Sequence, residues 1–192
     1  MKLQFKNIVE INTGLYQKPR PGGEVAYLQI RNLTDNGKID STEDFSFLSS
    51  EDVSGKFLLQ KNDIMFAAKG FTNIAAVYKN EIKPAVASSV FFVLRLNEQF
   101  VDQILPDFIA WYLNNKLVQA QLQTKAKGTS VKSISKKDLG DIEIPVPNIQ
   151  TQKRILKIDK LWNEEKELIK KLIEQKDNFY NGLLNNIANK EA

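Results

Sequence analysis

The side chains in this chain whose types and spacing could do chemistry are basic, amide and hydroxyl groups set in loops. The chemistry they suit is the holding of a polyanion. A first loop offers Gln17, Lys18 and Arg20, and a second offers Arg31 and Asn32 at a strand end. A third, Lys69-Gly70-Phe71-Thr72-Asn73, joins a base and amide donors to an aromatic ring. A fourth offers Lys127, Thr129, Ser130 and Lys132. Lysine, serine and threonine suit phosphate oxygens, arginine suits a guanine edge, and asparagine or glutamine suits adenine. Polar loops are ordinary on any soluble domain, so the reading leans on how charge is distributed. Residues 115–140 carry Lys116, Lys125, Lys127, Lys132, Lys136 and Lys137 against the single acid Asp138. Residues 34–52 carry Asp35, Asp40, Glu43, Asp44, Glu51 and Asp52 against the single base Lys38. A two-faced domain follows, its basic side toward nucleic acid and its acidic stretch turned away.

Catalysis is poorly provided for. The chain has no histidine and no cysteine, which removes the commonest general base, thiolate metal sites and any disulfide. No Gly-rich phosphate loop of the Walker type, no dinucleotide fingerprint and no Asn-Pro-Pro-aromatic tetrad occurs. Asp141-Ile142-Glu143 and Glu81-Ile82-Lys83 superficially resemble parts of a metal-dependent nuclease site, but neither has a suitable upstream acid, and both make sense as strand-edge surface. The reading is therefore of a protein without catalytic residues, a metal site or a cofactor of its own. It has no apolar run long enough to span a membrane and no signal-peptide core, so the expected compartment is the cytoplasm.

These loops need a scaffold. Val25–Ile30, Asp63–Ala68 and Ile74–Tyr78 have strand character, and Val86–Leu96 is the longest and most apolar segment, expected as a central strand. Turn signals at Asp35-Asn36-Gly37, Ser54-Gly55, Lys69-Gly70 and Lys79-Asn80 separate them. Residues 1–24 read as a lead-in segment and a loop broken by Pro19, Pro21 and two glycines. A helix opens at Pro106 with Asp107 at its positive end, and Phe108, Ile109, Tyr112, Leu113, Leu117 and Ala120 are expected on its core face. Ser135–Asp138 has capping-box spacing, with Gly140 a plausible stop.

Pro145-Val146-Pro147 marks a boundary. From Thr151 to about Ile187 there is no proline, and apolar residues recur at Ile155, Ile158, Trp162, Leu168 or Ile169, Leu172, Phe179 and Leu183, mostly at steps of three, four or seven. This predicts one amphipathic helix of about 35 residues, about 50 Å long, whose stripe asks for a partner helix in a coiled coil. The fold expected is α+β: a compact, mostly β domain with a packed helix over residues 1–148, then a long coiled-coil helix over 149–192 that dimerises or acts as a spacer.

One ordered set of segments resembles a known family. It runs Leu105-Pro106-Asp107-Phe108-Ile109-Ala110-Trp111-Tyr112-Leu113, Ala126-Lys127-Gly128-Thr129-Ser130-Val131, Ile134-Ser135-Lys136-Lys137-Asp138-Leu139, Ile144-Pro145-Val146-Pro147 and Gln152-Lys153-Arg154-Ile155, with Lys61–Phe66 upstream. In order and spacing it resembles the specificity subunit of type I restriction–modification systems. The resemblance implies a target recognition domain that reads part of an interrupted site in double-stranded DNA, and helices that act as spacers and dock DNA adenine methyltransferase subunits. A restriction/translocase subunit joins that core, and S-adenosylmethionine, ATP and magnesium belong to the partners. Such subunits normally carry two recognition domains and two helical regions, whereas this sequence shows one of each. The expectation is thus a half-length form that self-associates through antiparallel helices. Two rivals are a pure assembly protein that uses the long helix without touching DNA, and a metal-dependent nuclease.

Overall fold

The computed structural model describes residues 2–34, 36–40, 44–70, 73–80, 82, 84–126 and 132–190. The chain divides into two compact units, Met1–Gln152 and Lys153–Ala192.

In the first unit, residues 1–24 hold more than a lead-in. They form β1 (Lys2–Gln4), a single-turn α1 (Phe5–Ile8) and β2 (Val9–Thr13) before the loop starts. Phe5 and Ile8 are fully buried, and that burial is what fixes so short a helix. There follow β3 (Val25–Leu28), β4 (Ser46–Leu48), β5 (Ile64–Ala67), β6 (Ala75–Val77), β7 (Ala85–Ala87) and β8 (Phe91–Leu96). One antiparallel sheet has the order β2-β8-β5-β6, and a second has the order β4-β3-β7, with β3 and β7 parallel. The expected Val86–Leu96 strand is thus two strands in different sheets. The chain turns at Ser88–Val90, closed by Phe91 N–H donating to the Ser88 carbonyl at 2.9 Å, and crosses from one sheet to the other. The expectation of a central strand holds for β8, which pairs with β2 on one side and β5 on the other.

Strand alternation explains the core. Met65 and Ala67 of β5, Phe91 and Val93 of β8, and Ala26, Leu28, Ala85 and Ala87 from the second sheet share one buried cluster. Its many alanines leave room for the sheets to approach closely. Ile64, Phe66 and Leu94 alternate with these and are also fully buried, as are Phe108, Ile109 and Leu113 of α2 (Pro106–Asn114). At one end of this layer Arg95 grips the buried Asp63 in a two-pronged pair, Nε to Oδ1 at 2.8 Å and a terminal nitrogen to Oδ2 at 2.7 Å. That hydrogen bond holds the Arg95 pKa above its usual value. Such a pair satisfies a carboxylate that burial alone would penalise.

The helix opened by Pro106 ends earlier than its periodicity suggests. Asn115 is extended and accepts a hydrogen bond from Leu117 N–H at 2.9 Å, capping a separate α3 (Lys116–Lys125). The break resets the helical phase. Leu117 is therefore 77% exposed and Ala120 is also exposed, while Val118 and Leu122 are buried in their place. Asn114, the last residue of α2, lies along edge strand β6. Its amide accepts from Ala75 N–H and donates to the Ala75 carbonyl, both at 2.8 Å, as a neighbouring strand would. α4 (Lys136–Gly140) begins at the expected cap, with Asp138 N–H donating to Ser135 Oγ at 3.0 Å. β9 (Glu143–Pro145) then pairs back with β1.

α5 runs from Ile149 to Lys190, 42 residues. Its first turn belongs to the first unit, where the fully buried Gln152 accepts from Leu105 N–H and donates to the carbonyls of Gln103 and Pro147, at 2.8–2.9 Å. The rest of α5 makes the second unit. Among the described residues, no helix is long and apolar enough to cross a membrane.

Candidate nucleic-acid interface

The Ala87–Phe91 turn is a junction for the loops. Gly14 N–H donates to the Phe91 carbonyl at 3.0 Å and Leu15 N–H to the Ala87 carbonyl at 2.8 Å, which seats the first loop. Ser88 N–H donates to the Leu28 carbonyl at 2.9 Å, which places the start of the second loop beside it. Ala68 N–H donates to the Val90 carbonyl at 2.9 Å, which brings in the third. The fourth is joined to the third, because Ile134 N–H reaches the Ala68 carbonyl at 2.8 Å and Gly70 N–H the Lys132 carbonyl at 3.0 Å, with Lys69 and Ser133 paired as a β-bridge. Segments far apart in sequence therefore meet at one end of the unit.

The first loop is held firmly. Tyr27 is buried and donates its hydroxyl to the Leu15 carbonyl at 2.9 Å, and burial raises its pKa above the ordinary 10.0. A Cβ on Gly14 would stand 2.2 Å from the Ser88 carbonyl oxygen, so only glycine lets the loop lie this close to the turn. Further along, Arg20 N–H donates to the Phe47 carbonyl at 3.0 Å.

The residues singled out from sequence fall into three groups. Lys18, Arg20, Arg31, Lys69 and Lys132 are exposed cations, and Gln17 is half-buried. Lys18, Lys69 and Lys132 have no ion pair among the described residues. Asn32 and Asn73 correct the reading of loop amides as base-edge donors, because both are buried and spent on the backbone. Asn32 Oδ1 accepts from Gln29 N–H at 2.9 Å, and Asn73 Nδ2 donates to the Ala67 carbonyl at 2.9 Å. Each sits at a tight turn where its side chain replaces a missing backbone partner. Phe71, Thr72, Lys127, Thr129 and Ser130 lie outside the described residues.

The acidic stretch is not wholly turned away. Asp52 lies 3.6 Å from the Arg20 guanidinium, and Ser46, within the same stretch, accepts from Arg31 at 2.7 Å. Each arginine side chain thus has a partner within the acidic stretch. Asp141 pairs with Lys6 at 2.9 Å, a hydrogen bond that lowers its pKa. Glu143 lends its backbone carbonyl to the Tyr112 hydroxyl at 2.8 Å. Glu81 and Lys83 are outside the described residues. Among the described residues, no three carboxylates gather as a metal site would require.

Sequence reasoning missed two features. One is the Ser88-Ser89-Val90 turn itself, which lay hidden inside an apolar run. The other is the period of the α5 stripe. Ile158, Ile169 and Tyr180 are eleven residues apart, as are Leu161, Leu172 and Leu183, and Trp162, Ile173 and Leu184, while Leu168 and Phe179 make a further pair. All are exposed, by 43–68%. An eleven-residue repeat, about 3.67 residues per turn, makes a stripe that winds slowly right-handed around a helix, where a heptad would wind left-handed. Ile155 falls outside the repeat.

Comparison with known proteins follows the same lines. Residues 2–175 match the family model described as type I restriction modification DNA specificity domain. A crystal structure of the HsdS subunit from Thermoanaerobacter tengcongensis superposes with a TM-score of 0.64 at 19% identity, over 88% of this chain and 43% of that one. A structure solved for the structural basis of complex assembly and conformational transition of the type I R-M system gives 0.66 at 17%, over 88% and 43%. A type I restriction–modification S subunit from M. genitalium gives 0.58 at 19%, over 91% and 41%. At these identities the likeness is one of fold, and the chain spans about two fifths of the length of each of these structures.

Proposed function

Because the chain belongs to the type I restriction modification DNA specificity domain family, a non-catalytic targeting family, we propose that the four loops gathered around Ser88–Val90 read one part of an interrupted DNA target. The observation that carries this reading is the convergence of the loop bases: backbone hydrogen bonds of Gly14, Leu15, Ser88 and Ala68 seat the first three loops on one turn, and those of Ile134 and Gly70 join the fourth to the third. Lys18, Lys69 and Lys132 neutralise phosphates and hold the register on the duplex. Arg20 and Arg31, steadied by Asp52 and Ser46, are oriented for base edges. The turn supplies a rigid floor, so a substitution at the tip of one loop leaves the others in place.

In this reading the chain brings DNA adenine methyltransferase subunits, and with them a restriction/translocase subunit, to the site. S-adenosylmethionine, ATP and magnesium work on those partners. The second unit is the assembly element. Its apolar stripe leaves large side chains in water that a helix partner would cover, and a second copy of this chain in antiparallel pairing is the partner favoured. Two equivalent reading ends then face an inverted-repeat target.

The test is selection of duplexes from a random-sequence pool by the chain alone and with the methyltransferase subunit. Enrichment of a motif, with affinity falling steeply as salt rises, supports the reading. Salt-independent or absent DNA binding favours a protein that serves assembly alone.

A further inference from the structure

We propose that Tyr16 is the aromatic contact of this reading surface, its ring packing on the apolar faces of the target DNA; the proposal rests on the DNA-reading function above. Tyr16 is 80% exposed, more than any other large apolar side chain among the described residues. It is not on a loose tip. The residues just before it are fixed by the Gly14 and Leu15 bonds to the turn, by the Leu15–Ser88 bridge and by the Tyr27 hydroxyl on the Leu15 carbonyl. The sequence thus commits a buried tyrosine and a glycine that tolerates no Cβ to holding the one residue that precedes an outward-facing ring.

That ring has no stacking partner among the described residues. It stands on the same loop as Gln17, Lys18 and Arg20, so cations that hold a phosphate backbone flank it. Exposed rings and apolar wedges beside such cations grip nucleic acid by stacking on bases or entering an opened base step. Tyrosine is apt because its ring is stiff, with little rotamer freedom to lose, and its hydroxyl tolerates water when the DNA is absent. The alternative role, a hydroxyl donating to a phosphate, makes a different prediction for phenylalanine.

The test uses the full chain and duplexes enriched by it from a random pool. Wild type, Tyr16→Phe and Tyr16→Ala are compared for affinity, for its dependence on salt, and for thermal unfolding. The expected result is Tyr16→Phe within about twofold of wild type and Tyr16→Ala weaker by at least about tenfold. The salt slope and melting temperature of both should match wild type, since the ring neither neutralises a phosphate nor packs in the core. Equal losses in Tyr16→Phe and Tyr16→Ala would assign the contact to the hydroxyl and overturn the proposal, as would wild-type affinity in Tyr16→Ala. If wild type enriches no duplex, the DNA-reading function fails and the proposal with it, an outcome distinct from a wild type that selects and a Tyr16→Ala that selects equally well.

Discussion

The backbone of Gly14 lies against the carbonyl of Ser88 so closely that a single added methyl would stand 2.2 Å from that oxygen and 2.6 Å from the Ala87 carbonyl. Both obstacles are backbone atoms of the turn that also seats the second and third loops. Gly14→Ala must therefore push the first loop off the turn. It is expected to destabilise the fold by about 1–3 kcal/mol and to lower specific DNA affinity more than non-specific affinity. Thermal unfolding and titration with selected and scrambled duplexes check both.

Lys69 and Lys132 come from two chain segments joined by a β-bridge, and both are exposed. Replacing either with alanine is expected to weaken binding to all sequences alike and to reduce the salt slope by about one. Arg20→Ala or Arg31→Ala should instead relax preference at one base position, at about 1–3 kcal/mol. Affinity measured across a salt series on two unrelated duplexes separates the two behaviours.

Asn32 and Asn73 are expected to act on stability. Each is buried with its amide bonded to backbone, and truncation to alanine strands a buried partner at a cost of about 1–3 kcal/mol. Denaturant midpoints should fall for both variants, while the motif selected by whatever protein remains folded stays that of wild type.

Leu172 and Ile173 sit at the middle of the eleven-residue repeat and are 52% and 55% exposed. In the antiparallel pairing proposed, Leu172→Asp or Ile173→Asp should abolish self-association, because a charge in a helix–helix seam is buried without a partner. Lys171→Glu, one residue off the stripe, should leave it intact. Sedimentation equilibrium at several loading concentrations reads the difference.

Tyr27 and Tyr112 both titrate above the ordinary 10.0, chiefly because burial disfavours the phenolate. The unfolded chain then gives up these protons first, so their contribution to stability is full below about pH 10 and is lost as pH rises through the raised values. Melting temperature should drop across that window, and Tyr27→Phe, which cannot ionise, should show a shallower drop.

Much of this could be read from the residues. Pro106 and Ser135 announce helix starts because their signals are local, and the strands around Ile64, Ala75 and Phe91 announce themselves by apolar content. What escaped depended on tertiary context. Ser88 and Ser89 look like part of a strand until a second sheet needs the chain to cross over. Asn115 breaks a helix whose periodicity runs on. Asn32 and Asn73 have the chemistry of base readers, and only the turn geometry shows that their amides are already used. The four loops were visible as a set, but the seating of their bases on one turn was not, since it arises from backbone pairing between residues far apart in sequence.

In the function proposed, loops seated on the Ser88–Val90 turn give a methyltransferase its target. The most direct measurement is to map methylated adenines across a genome in cells holding the methyltransferase subunit alone, this chain alone, or both. The expected result is methylation at a single interrupted motif that appears only when both are present and is reduced by Gly14→Ala. Methylation at the same motif without this chain, or none at any motif with both, would contradict it.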